Sequence, residues 1–177
     1  KTNVRFRSIH DVVTELELIS KRYQSSLIYI SDDTFTLKKS RTMELCNEII
    51  NRDLKITWKC DTRADCLDKE LVDKMKEAGC ELIKIGVESG SPKILKEIKK
   101  GVTKEKLRLA VDLVKKAGIK ITIYLMVGFP GETDEDVQQT IDFAHELNTD
   151  YYSLSILSPY FGTEIFSYLS DNGLISA

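Results

Sequence analysis

Short apolar runs alternate with longer stretches of helical spacing along this chain, and the pattern occurs five times. A helix comes before any strand. Ser8 is its N-cap, Asp11 supports its first turn, and Val12, Leu16, Ile19 and Tyr23 recur on one face. Leu27-Ile28-Tyr29-Ile30 then reads as a buried strand running into Ser31-Asp32-Asp33. A helix from about Ser40 to Arg52 turns Met43, Leu45, Cys46, Ile49 and Ile50 inward. The second strand, Lys55 to Cys60, alternates apolar and polar residues, so one of its faces is less buried. It ends in Asp61-Thr62-Arg63-Ala64-Asp65.

Asp68 caps the next helix, which carries Leu71, Val72 and Met75 and stops at Gly79. Leu82 to Val87 is the third strand and runs into Glu88-Ser89-Gly90. Ser91-Pro92 opens a helix with a cap and a proline at its first position; Gly101 ends it. Thr103 starts another helix that lasts until Gly118. Ile119 to Val127 is the fourth strand, followed by Gly128-Phe129-Pro130-Gly131-Glu132 and a helix capped by Thr133. Tyr151 to Leu157 is the fifth strand, and a last helix follows Ser158 to Thr163.

Strands that alternate with helices pair in parallel through right-handed crossovers. The fold class is α/β, with one domain expected over 1–177. An open doubly wound sheet and a full or partial (β/α) TIM-type barrel both fit the pattern. In either, ligands bind at the C-terminal ends of the strands, where all five polar clusters lie.

Composition narrows the function. The formal net charge of −2 argues against a general nucleic-acid or membrane-surface binder, which needs a basic patch to meet phosphates. No apolar run approaches the roughly 18 residues of a membrane span, and no secretory signal is visible, so a cytoplasmic location is expected. The first residue is Lys1 and the last is Ala177, and the chain reads as a segment of a longer protein. Cys46, Cys60, Cys66 and Cys80 include no pair at CxxC spacing, which favours free thiols in a reducing compartment over metal ligands.

Each loop has a functional and a plain reading. Asp32-Asp33 concentrates negative charge that suits a cation or an ammonium, or else turns the chain. Arg63 can fork onto a ligand carboxylate, or pair with Asp61, Asp65 or Glu88. Glu88 at the end of an apolar strand can bind ligand hydroxyls or tie down its neighbours, and Ser89 with the following amides can receive an anion. Gly128-Phe129-Pro130-Gly131 lets backbone approach a flat ligand with its amides free, or makes a tight turn into the helix capped by Thr133. It lacks the lysine of a Walker loop and the spacing of a dinucleotide fingerprint.

The ordered set is more specific than any member. Asp32-Asp33-Thr34-Phe35, Thr62-Arg63-Ala64-Asp65, Gly86-Val87-Glu88-Ser89-Gly90-Ser91, Gly128-Phe129-Pro130-Gly131-Glu132-Thr133 and Pro159-Tyr160-Phe161-Gly162-Thr163 together resemble radical S-adenosylmethionine (SAM) enzymes. The likeness is greatest to the branch that often carries a cobalamin domain, which includes proteins similar to the anaerobic Mg-protoporphyrin monomethyl ester cyclase. It covers about Arg5 to Gly173.

The resemblance implies a partial barrel of about six βα units, of which five strands are visible here and the first is missing. It also implies a 4Fe-4S cluster held by a CxxxCxxC loop that this sequence does not contain. SAM, the cluster and, in some relatives, cobalamin are therefore expected in the parent protein, and none on this chain alone.

By resemblance, Asp32 and Asp33 receive the methionine ammonium and Arg63 reaches its carboxylate. Glu88 and Ser89 contact ribose, Gly128, Phe129, Pro130 and Gly131 contact adenine, and Pro159 and Tyr160 close the rim. The implied activity is reductive SAM cleavage to a 5′-deoxyadenosyl radical that acts on an unidentified small molecule, with this piece inactive by itself.

Two rivals remain. One is a barrel acting on a phosphorylated metabolite, which would want a phosphate cup and an interior catalytic lysine, whereas the lysines here fall mostly on helix faces. The other is a non-catalytic barrel serving as a binding module. The missing first strand also leaves an apolar edge at Leu27–Ile30, from which partial self-association is expected.

Overall fold

The computed structural model describes residues 4–23 and 27–175; the outer limits of the expected 1–177 domain lie outside them. The helices and strands alternate in the order α1 (Ile9–Tyr23), β1 (Ile28–Ile30), α2 (Lys39–Asn51), β2 (Trp58–Thr62), α3 (Lys69–Glu77), β3 (Cys80–Glu88), α4 (Pro92–Glu97), α5 (Lys104–Lys116), β4 (Lys120–Val127), α6 (Asp134–Leu147), β5 (Tyr151–Ile156) and α7 (Glu164–Asp171). The caps explain the starts. Asp68, Ser91, Thr103 and Thr133 each accept a backbone N–H of the first turn, and Thr133 with Asp136 completes a capping box. Gly79, at φ 90°, turns the chain out of α3.

The five strands form one parallel sheet in the order β1-β2-β3-β4-β5. This order decides between the two architectures. A doubly wound sheet must reverse its strand order to place helices on both faces, and this sheet never reverses. Consecutive helices instead touch one another on one side, α1 on α2, α2 on α3 and α3 on α5. The result is a partial (β/α) barrel with a convex face under helices and an open concave face.

Alternation along each strand sorts the side chains. Trp58, Cys60, Ile83, Ile85, Val87, Ile121 and Ile123 are fully buried beneath the helices. Their neighbours Lys59, Asp61, Lys84 and Tyr124 are only partly covered and face the concave side. Two expectations shift. The second strand starts at Trp58 rather than Lys55 and runs on to Thr62, which places Asp61 within it. The first strand is not buried throughout: Ile28 is, but Tyr29 is 43% exposed, because β1 pairs with β2 alone.

Trp58 anchors the convex core. It is fully buried, its indole N–H donates to the Ala78 carbonyl at 2.8 Å, and Phe35 meets its ring edge-on at 5.4 Å. Trp58→Ala is expected to lower unfolding stability by about 3–5 kcal/mol, read from urea titration monitored by circular dichroism.

Candidate functional site at the mouth of the partial barrel

Because every strand is parallel, the five strand ends gather on one rim. The third strand supplies its most strained residue. Glu88 sits at φ 66°, where the register between β3 and β4 shifts. A non-glycine residue in that region costs roughly 1–3 kcal/mol and persists only when its surroundings hold it there. Here the surroundings are visible. Lys100, from the loop after α4, reaches over the rim and pairs with Glu88 at 2.8 Å, with side-chain exposures of only 15% and 23%. The pair lies across Gly86, where a Cβ would stand 2.5 Å from Glu88 Oε1 and 2.8 Å from Lys100 Nζ. Glycine at 86 is what lets the ion pair lie flat on the strand.

Arg63 joins the same group. Its guanidinium forks onto Asp65, Nε to Oδ1 at 3.0 Å and a terminal nitrogen to Oδ2 at 2.9 Å. It also donates to the Lys100 carbonyl at 3.3 Å. Hydrogen bonding from Arg63 holds the Asp65 carboxyl below the usual carboxylate range. Of the pairings open to Arg63, the structure selects Asp65.

Ser89 is placed differently from expectation. It is fully buried and faces the helices, its hydroxyl donating to Thr140 at 2.9 Å and accepting from the Ser91 N–H at 3.0 Å. It braces β3 against α6. Two amides of the Gly128–Gly131 turn are likewise taken. Gly128 and Phe129 donate to Glu132 Oε2 at 2.5 and 3.3 Å, and the Gly131 carbonyl accepts from Lys93 at 2.6 Å. Gly128, at φ 88°, and Gly131, at φ 74°, permit the turn. Glu132 Oε1 is buried and accepts no hydrogen bond from the described residues. Phe129 and Pro130 remain partly exposed above it.

Asp32 and Asp33 are exposed at the end of β1, and neither carries a hydrogen bond or ion pair among the described residues. With Tyr29 they also line a cavity of about 620 Å³ between α1, β1 and α2. Pro159 and Tyr160 follow β5, but Tyr160 is 77% exposed and its carbonyl accepts only from Thr163.

Reasoning from the sequence missed Lys59, Asp61, Lys84, Lys100, Tyr29 and Tyr124. Lys84 lies between buried Ile83 and Ile85, so its strand alternation is the signal that places it on the concave face. Nothing local to Lys100 announces its reach.

The cysteines do not make a cluster site. Cys46, Cys60 and Cys80 are fully buried on the helix side. Burial pushes the Cys46 thiol up to about 12, and a hydrogen bond donated by the Cys60 thiol to Cys80, together with burial, raises Cys60. Thiolates are thus disfavoured where iron would need them. No group of three or more ligating side chains is assembled among the described residues.

The fold is a partial (β/α) barrel with its strand ends on one rim, and comparison with known proteins gives the family. The model of the radical SAM superfamily matches residues 1–144, and the chain belongs to that superfamily. It is 37% identical to an uncharacterized methyltransferase of Pyrococcus horikoshii, over 97% of this chain and 37% of that protein. It is 29% identical to the anaerobic magnesium-protoporphyrin IX monomethyl ester cyclase of Rubrivivax gelatinosus, over 94% of this chain and 30% of the relative. The chain therefore spans about a third of the length of these relatives. Among solved structures, the radical SAM methyltransferase TsrM of Kitasatospora setae, with cobalamin and a [4Fe-4S] cluster bound, superposes with a TM-score of 0.85. The identity is 23%, covering 94% of this chain and 32% of that one, which supports the fold.

Asp136 ties this rim together. It accepts from Ser91 at 2.6 Å, from Lys93 at 2.8 Å and from Thr133, joining the start of α4 to the start of α6. Lys93 first, then Ser91 and the Thr133 amide, hold its carboxyl well below the usual carboxylate range. A depressed carboxyl contributes its full stability above the unfolded value near 3.8 and loses it as the pH falls through the folded value. Asp136→Asn is expected to lower Tm by several degrees at neutral pH. The gap to the parent chain should persist to about pH 4 and close only on stronger acidification, as followed by thermal denaturation across pH.

Proposed function

We propose that the protein containing this chain binds SAM across the mouth of the partial barrel. There it cleaves SAM reductively to a 5′-deoxyadenosyl radical at a 4Fe-4S cluster whose ligands lie outside this sequence. The observation that carries this reading is the rim itself, in a chain that belongs to the radical SAM superfamily. The unpaired Asp32 and Asp33 carboxylates suit the methionine ammonium. Glu88, clamped by Lys100, presents a carboxylate that suits ribose hydroxyls. Phe129 and Pro130 offer an apolar surface for adenine, and the unpartnered Glu132 Oε1 beneath them suits the exocyclic amine. Arg63 meets the methionine carboxylate only by sharing its guanidinium with Asp65.

This chain's own residues therefore fit SAM and do not fit the cluster. Their part is to bind, orient and shield the cosubstrate. The substrate is a small molecule of unidentified structure. The names of the relatives support methyl transfer as one outcome of the radical chemistry, with cobalamin as carrier.

No described helix is long and apolar enough to cross a membrane. A cytoplasmic setting is supported by the four unpaired cysteines.

Anaerobic iron–sulfide reconstitution of this chain beside the full-length protein tests the reading. The full-length protein should take up about four irons and release 5′-deoxyadenosine from SAM, while this chain takes up none. A full-length protein that binds no iron moves the function to a metabolite barrel or a binding module.

Self-association of this chain through the β1 edge is a second expectation, since β1 pairs on one side only and exposes Tyr29. Light scattering should show mass growing with concentration; a constant monomer mass would remove it.

A further inference from the structure

Below the rim, the concave face carries a second set of polar side chains that the SAM site does not use. Tyr29 on β1, Lys59 and Asp61 on β2, Lys84 on β3 and Tyr124 on β4 all point to this side, and the strand neighbours that point to the helices are buried, Ile30 of β1 only in part. Asp61 is the carboxylate among them, and both its oxygens are occupied. Tyr29 donates to one, and Tyr124 donates to the other at 3.2 Å. Each hydroxyl has thereby committed its only proton. The Tyr124 oxygen is left to accept from Lys84 Nζ, which it does at 3.0 Å.

Lys84 is consequently a cation with one hydrogen bond and no carboxylate within ion-pair distance among the described residues, Asp61 acting on it only from further off. Two rings hold it, Tyr29 with its centroid at 4.5 Å and Tyr124 at 5.6 Å. Lys59 lies 5.1 Å from the same Tyr29 ring and forms no hydrogen bond or ion pair among the described residues. Aromatic faces attract an ammonium without cancelling its charge. The layer thus carries two lysines against one carboxylate, whereas the rim's cations are each paired, Arg63 with Asp65 and Lys100 with Glu88. The hydrogen bond to Tyr124 also keeps Lys84 protonated above its ordinary range.

We propose that Lys84 and Lys59 form a station for an oxyanion of the substrate, a carboxylate or a phosphate, on the concave face beneath the SAM site. This assignment rests on the reading that the barrel mouth holds SAM and leaves its interior to the substrate. Lys84 has N–H groups to spare and is fixed in place by Tyr124, so the anion meets a donor that is already oriented. Asp61 keeps both tyrosines in that arrangement and is itself screened from the anion by their hydroxyls.

The test is calorimetric titration of this chain at low ionic strength with inorganic pyrophosphate in one arm and citrate in the other, without iron or SAM. Parent chain, Lys84→Gln, Lys59→Met and Lys116→Met are compared, Lys116 being an exposed lysine of α5. Lys84→Gln keeps an N–H for Tyr124 while removing the charge, and an unchanged thermal melt verifies its fold. Binding of at least one probe is expected, weakened about tenfold by Lys84→Gln and by Lys59→Met and unchanged by Lys116→Met. The arm that binds more tightly names the group as phosphate or carboxylate. No binding to the parent chain, undiminished binding in Lys84→Gln, or equal loss in Lys116→Met overturns the assignment. None of these outcomes involves iron uptake or SAM cleavage, so a failure here and a failure of the radical-enzyme reading are told apart.

Discussion

The structure depends on one constraint: five strands that pair in parallel and never reverse their order. With right-handed connections, that order stacks successive helices on one face and leaves the other face bare. Period-two alternation then divides every strand into an apolar set under the helices and a polar set on the concave side. Ile83 and Ile85 belong to the core, and Lys84 between them belongs to the interior of the barrel. The same constraint brings every C-terminal strand end to one rim, so residues as distant in sequence as Asp32, Glu88 and Phe129 share a mouth.

Charge on this concave side is arranged in tiers. At the rim, Arg63 with Asp65 and Lys100 with Glu88 balance one another, and Asp32 and Asp33 stand outside these pairs as uncompensated carboxylates. Deeper, Lys59 and Lys84 outnumber Asp61. A ligand with a cationic end at the rim and a neighbour with an anionic group below it would each meet complementary charge. Strain is also localised. Glu88 holds a left-handed backbone where β3 slips register against β4, and its clamp on Lys100 needs the bare backbone of Gly86.

Membership of the radical SAM superfamily and the chemistry of the cysteines are compatible because they concern different residues. The thiols of Cys46, Cys60 and Cys80 are packing groups in the convex core, where burial suppresses their ionisation.

The sequence by itself determined the element order, the helix caps and the parallel α/β class. Each of these rests on local physics: a side chain bonding an N–H three residues away, or an apolar period along one segment. Asp68, Ser91, Thr103 and Thr133 were therefore legible. The motif order also brought the family into view, since it is a linear property. Tertiary structure decided what depends on partners distant in the chain. It chose a sequential sheet over a doubly wound one, buried Ser89 against Thr140, bonded the Gly128 and Phe129 amides to Glu132, and left Tyr160 exposed. It also brought Lys100 to Glu88 and Lys84 to Tyr124. A lysine on a strand reads the same in sequence whether it faces solvent or the inside of a barrel; only the curvature of the assembled sheet gives that face an interior.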